Sequence, residues 1–145
     1  FSLSHALSET VDLFIPVATS THRTLQVSCA EDLYYVGNEE QFRQLFCLLL
    51  DNAIKYSTPD STIELTLSKR GKHLCFIIFN ECNGLEKGSQ DILFERFYRS
   101  DSSRNSSTGG SGIGLSIAHS IVETHKGSIH AENPDGKTLQ IKVLL

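Results

Sequence analysis

Three short segments of this chain hold residue types that could handle phosphate. The first is GGSGIGLSIA at 109–118, where glycines crowd the start of an apolar helical pattern. Glycine lets backbone N–H groups and a helix N-terminus approach phosphate oxygens closely. The stretch lacks the Lys-Ser/Thr ending of a P-loop and does not directly follow a buried strand, as a dinucleotide fingerprint does. Alone it also fits plain packing or turn chemistry. The second is DNAIKYS at 51–57. Asn52, Lys55 and Tyr56 stand at i, i+3 and i+4, so one helix face carries all three. An amide oxygen, an ammonium and a phenol together suit a hydrated Mg²⁺ that bridges phosphates. A polar helix end facing water is the plain alternative. The third is LFERFYRSD at 93–101. Phe94 and Phe97 look like anchors for the polar stretch behind them, and Arg96 and Arg99 offer cations within reach of a γ-phosphate. An aromatic core pair with solvated arginines fits each residue taken singly.

The periodicity supplies elements to hold these segments. Residues 3–18 place Leu3, Leu7, Val11, Phe14 and Ile15 at helical spacing, with Pro16 blurring the end. Residues 24–30 alternate as a strand, and a short strand is expected at 33–36. Asn38, with Gln41 three residues on, opens a helix through Phe42, Leu45, Phe46, Leu49, Ala53 and Ile54 to about residue 56. Its 46–50 stretch is apolar all round, which predicts deep burial. Strands follow at 62–68 and 74–79, the second apolar on both faces as a central strand is. An amphipathic piece at 92–98 leads into 100–112, which has no apolar side chain and is expected to be mobile. A helix with Ile113, Ile117, Ile121 and Val122 then stops at Gly127, read as its C′ residue after Lys126. Strands at 128–132 and 138–144 finish the chain around Asn133-Pro134-Asp135-Gly136. The expected fold is an α/β two-layer sandwich, a mixed β-sheet covered on one face by helices, in one domain over 1–145.

Composition narrows the function. A net charge of −4 argues against nucleic acid as partner, because neutralising phosphates needs a basic face. No apolar run reaches the roughly 18 residues of a membrane span, and no signal peptide is read. A membrane anchor of the parent protein would lie outside this stretch. Cys29, Cys47, Cys75 and Cys82 form no C-x-x-C pair and read as free, packed thiols of a reducing cytoplasm. The histidines lack ligand spacing, and His5 reads as a surface or half-buried helix residue.

Taken in order, DNAIKYS, FERFYRSD and GGSGIGLSIAHSIVETHKG closely resemble the N, F and G2 boxes of sensor histidine kinase catalytic domains. These belong to the wider ATPase group (GHKL) that includes gyrase-type topoisomerases, mismatch-repair ATPases and anti-sigma serine kinases. The match covers nearly the whole chain, and FERFYR is the element most specific to the histidine kinases. The resemblance implies the Bergerat ATP-binding fold, with ATP and Mg²⁺ as cofactors. It implies that Asn52 coordinates Mg²⁺, that Lys55 and Tyr56 contact the phosphate or sugar end, and that Arg99, after Tyr98, steadies the γ-phosphate. It also implies that Gly110, Gly112 and Gly114 cradle phosphates under a lid at 100–109, with Phe94, Tyr98, Ile113 and Leu115 lining the nucleotide.

Three positions depart from the family's commonest pattern. Leu48 stands where many relatives carry a second polar residue. The usual D-x-G-x-G aligns with Asn80-Glu81-Cys82-Asn83-Gly84, so a neutral amide oxygen replaces the carboxylate that accepts from the adenine amine. That exchange should cost about 1–2 kcal/mol, roughly ten- to thirtyfold in affinity. Cys82 adds a side chain near the base, whereas Gly84 is kept. Weakened ATP binding is the expectation.

The resemblance further implies transfer of the γ-phosphoryl group to a histidine on separate dimerisation helices, for relay to a response-regulator aspartate. No H-E-[LF]-[RK]-T-P-like motif occurs here, so this stretch alone should bind ATP as a monomer without phosphorylating itself. The parent protein is expected in a bacterial cell membrane with this domain on the cytoplasmic side. Two other readings stand beside it: a degenerate domain that only docks to proteins, favoured by Leu48, Asn80 and Cys82, and an ATPase of different chemistry, opposed by FERFYR.

Overall fold

A computed structural model of the chain describes residues 1–96 and 113–145. The leading helical pattern forms α1 (Leu3–Ser20), which buries Leu3, Leu7 and Val11. Ser2 caps it by accepting the His5 N–H at 3.1 Å, and the helix passes through Pro16 before ending. After β1 (Thr24–Cys29) comes α2 (Glu39–Tyr56). Asn38 caps α2 through its side-chain oxygen, 3.0 Å from the Gln41 nitrogen, as the capping pattern predicts. Phe42, Leu45, Phe46, Leu49 and Leu50 are all buried, with Phe46 against Phe76 at 5.1 Å between ring centres. Cys47 and Leu48, on the remaining side, are only half-buried.

β2 (Thr62–Arg70) and β3 (His73–Glu81) form a hairpin, followed by a two-residue β4 (Gly88–Ser89) and a 3₁₀ turn at Asp91–Phe94. α3 (Gly114–Thr124), β5 (Ser128–Asn133) and β6 (Thr138–Leu144) complete the chain. The six strands lie in the order β1-β2-β3-β6-β5-β4, with β1–β2 parallel and every other pair antiparallel. The sheet is therefore mixed. One register row runs Val27–Leu65–Ile78–Ile141–Ala131 across five strands. Its last four members are buried, while Val27 on the edge strand is 38% exposed. The core lies between this row and the helices.

Two expectations need correction. Residues 33–36 form no strand among the described residues; they make a single bridge, Tyr34 with Ser2. The Leu3 N–H donates to the Leu33 carbonyl and the Tyr35 N–H to the Phe1 carbonyl, so the segment ties down the start of α1. Gly127 is also not the left-handed residue after α3. That conformation falls on Lys126 (φ 60°). Gly127 is small for another reason: a Cβ there would stand 2.5 Å from the Leu144 carbonyl oxygen. The expected lid and the mobility expected of 100–112 lie outside the described residues. All four cysteines are free thiols, Cys75 and Cys82 buried and the other two half-buried. Burial pushes the Cys29, Cys47 and Cys82 thiols up from their ordinary range.

Candidate functional site

The first turn of α3 packs beside α2 at Leu48. A Cβ placed on Gly114 would be 3.6 Å from Leu48 Cδ2, one helical turn before Asn52. That is ordinary contact, so packing on α2 does not by itself demand glycine at 114. Leu48 thus offers an apolar contact between the two helices.

Asn52 and Tyr56 are half-buried, and neither side chain hydrogen-bonds to a described residue. Lys55 Nζ pairs with Asp51 Oδ2 at 2.9 Å, both side chains well exposed. An exposed i,i+4 pair is worth under about 1 kcal/mol, so the ammonium is easily redirected to a stronger anion. Among the described residues no group of three or more His, Cys, Asp or Glu stands ready to hold a metal. The Asn52 amide oxygen is a hard donor of the kind that suits a hydrated Mg²⁺.

α3 begins without help from a described side chain. Its N-cap is Ile113, whose side chain cannot accept a hydrogen bond, and its first turn contains no acidic residue. The free N–H groups and the positive end of the dipole are what an anion would meet. Ile113 and Leu115 flank this end half-buried. Beneath it Phe94, 7% exposed, lies against the His119 ring at 5.7 Å.

At the end of β3, Asn80 is 3% exposed. Its Nδ2 donates to the Glu81 carbonyl at 3.2 Å, and its Oδ1 accepts from no described residue. A buried carbonyl oxygen without a donor is costly, and an exocyclic adenine amine would satisfy it. The Cys82 side chain packs into the hydrophobic core. Gly84 adopts φ +84°, a conformation that other residues resist.

Two supporting residues make long-range bonds that their local sequence does not signal. Asn133, fully buried, donates to the Leu85 carbonyl at 3.3 Å just past Gly84 and accepts the Asp135 and Gly136 N–H groups. Asp91 accepts the Ala131 N–H at 2.8 Å and lies 3.0 Å from His130 Nδ1, tethering the turn that carries Phe94 to β5. Partial burial would raise the Asp91 carboxyl, but the Ala131 N–H and His130 outweigh it and hold it below the usual range. Both anchors depend on contacts between segments remote in sequence. Phe97, Tyr98, Arg99, Gly110 and Gly112 lie outside the described residues. A separate concavity of about 430 Å³ opens beside the C-terminal end of α1, between Ile15, Ala18, Leu25 and Asp60.

A family model described as histidine kinase-, DNA gyrase B-, and HSP90-like ATPase matches residues 37–145. The probable sensor protein PcoS of Escherichia coli is 36% identical over 143 residues, 99% of this chain and 30% of that protein. The sensor protein VanS of Enterococcus faecium is 34% identical over 136 residues, 94% of this chain and 35% of that one. This chain thus spans about a third of the length of these relatives. A solved structure of the catalytic domain of histidine kinase ThkA superposes at a TM-score of 0.84 with 21% identity, covering 100% of this chain and 92% of that one. The mycobacterial sensor histidine kinase MprB gives 0.83 at 20% identity, covering 100% and 94%. These two likenesses speak to fold.

Proposed function

We propose, since this chain belongs to the family of histidine kinase-, DNA gyrase B- and HSP90-like ATPases and is a sensor histidine kinase catalytic domain, that it presents Mg²⁺-ATP to a histidine on the dimerisation helices of its parent protein. The observation that carries this reading is the packing of α2 at Leu48, one turn before Asn52, against the start of α3, which no described side chain caps. Phosphoryl transfer asks a protein mainly for positioning and charge neutralisation. Asn52 would hold the metal through its amide oxygen, and Lys55 would leave its surface pair with Asp51 for a phosphate. Tyr56 would lie along the phosphate or sugar end, and Arg99 would steady the γ-phosphoryl group. When bound, Mg²⁺ would neutralise charge on the phosphate oxygens. Backbone N–H groups at Gly110, Gly112 and Gly114 would receive those oxygens, while Asn80 Oδ1 and Gly84 would hold the base.

Among the described residues no helix is long and apolar enough to cross a membrane. The phosphoacceptor histidine, its helices, the response-regulator aspartate beyond and any membrane anchor would be supplied by other parts of the system. The buried, neutral Asn80 supports one other reading, a domain that has kept the fold for docking to proteins and no longer turns over ATP.

Calorimetric titration with Mg²⁺-ATP tests both. A working nucleotide site should bind in the micromolar-to-submillimolar range, lose binding in Asn52→Ala and tighten in Asn80→Asp. Absence of binding by the natural sequence, restored in Asn80→Asp, would select the docking module.

A further inference from the structure

Arg23 lies between α1 and β1, outside every motif segment, yet its guanidinium ends on the last turn of α2. Nε donates to the Ser57 hydroxyl at 3.1 Å and Nη2 to the Ser57 carbonyl at 2.6 Å. Nη1 donates to the Thr21 carbonyl at 2.8 Å, which fixes the fork on its own side. Ser57 is buried and directly follows Tyr56; its N–H donates to the Ala53 carbonyl and its hydroxyl to the Ile54 carbonyl. A guanidinium at a helix C-terminus makes charge-assisted hydrogen bonds and meets the negative end of the dipole.

The next residue is held from the opposite side. The Thr58 N–H donates to the Glu81 carbonyl at 3.0 Å, and its hydroxyl lies 3.3 Å from a Glu81 carboxylate oxygen. Glu81 directly follows Asn80. The end of α2 is therefore fixed between Arg23 and the strand whose end carries Asn80.

We infer that Arg23 is a positioning residue for the nucleotide site. By clamping Ser57 it sets where the last turn of α2 stands relative to Asn80, and so the spacing between the phosphate-end groups (Asn52, Lys55, Tyr56) and the base-end group. This rests on the nucleotide reading above. The fork is essential, because a lysine ammonium is a point charge that does not hold hydroxyl and carbonyl in one planar geometry.

The test compares the natural sequence with Arg23→Ala, Arg23→Lys and Ser57→Ala. Each is titrated with Mg²⁺-ATP and, separately, with adenosine, and hydrogen exchange is followed along α2 without nucleotide. Arg23→Ala should weaken Mg²⁺-ATP about tenfold and Arg23→Lys about threefold, with adenosine held within about twofold. Exchange should quicken in the last turn of α2 and stay unchanged in its first. Equal losses for both ligands would show a merely structural role and overturn the inference, as would undiminished Mg²⁺-ATP binding in the Arg23 variants. If Arg23→Ala does not fold, the same split at smaller size in Arg23→Lys and Ser57→Ala decides. If the natural sequence binds neither ligand, the nucleotide reading itself fails and the positioning role falls with it. If it binds both and only the split is missing, the inference alone fails.

Discussion

The two ends of α3 are built to opposite specifications. At its C-terminal end the chain satisfies itself. The Gly127 N–H donates to the Val122 carbonyl at 3.0 Å and the Lys126 N–H to the Glu123 carbonyl at 2.9 Å. His125 Nε2 accepts the Asn38 N–H at 3.2 Å, so its Nδ1 carries the proton and donates to the Ile121 carbonyl at 2.8 Å. The Tyr35 hydroxyl donates to the His125 carbonyl, and Phe42 meets the ring edge-on at 4.6 Å. At the N-terminal end no described side chain accepts a hydrogen bond from the helix N–H groups. A helix end closed by its own protein serves the fold; one left open keeps its N–H groups for something else.

The largest effect should come from breaking the closed end. Gly127→Ala drives a Cβ into the Leu144 carbonyl and should lower stability by about 3 kcal/mol, read from urea unfolding. His125→Ala leaves the Asn38 N–H unpaired and strips an aromatic contact, with an expected loss of about 2 kcal/mol. Asn38 caps α2, so exchange should also quicken in the first turn of that helix.

Closing the open end should do the reverse. Ile113→Asp supplies the missing cap and should stabilise the nucleotide-free protein by about 1 kcal/mol. On the proposed nucleotide reading its charge would occupy N–H groups that would otherwise receive phosphate, so Mg²⁺-ATP binding should weaken as the melting temperature rises. A rise in both would break the comparison. Lys126→Gly relieves a left-handed backbone and should add about 0.5 kcal/mol, with nucleotide binding unchanged.

The smallest effect depends on pH. The Asp91 carboxyl is depressed in the folded chain, so its contribution is present above the ordinary carboxylate range, near pH 4, and disappears as pH falls through the lower folded value. Asp91→Asn should remove that part of the acid sensitivity. Comparing urea midpoints at neutral pH and near pH 3 for both proteins checks it.

Much of this was legible in the linear chain. The period of Phe42, Leu45, Phe46 and Leu49 marks a buried helix, and alternation at Ile63, Leu65 and Leu67 marks a strand, because burial on one face imposes those periods. Asn38 announced its own cap, since a cap and its target lie three residues apart. The motif segments were equally plain as residue types. The preference for glycine after a helix points to Gly127, whereas the left-handed turn falls on Lys126. Glycine signals backbone freedom and close approach alike, and only the position of Leu144 tells the two apart. Residues 33–36 read as a strand because alternation says nothing about whether a partner strand is near.

What the sequence by itself determined was therefore whatever is settled within a few residues: periods, caps, and the chemistry of each motif. Tertiary structure alone decided that Arg23 would end on Ser57, Asp91 on Ala131 and Asn133 on Leu85. Each pair is separated by more than thirty residues. A hydrogen bond is made or lost within a few tenths of an ångström, and the folded path of the chain sets that distance.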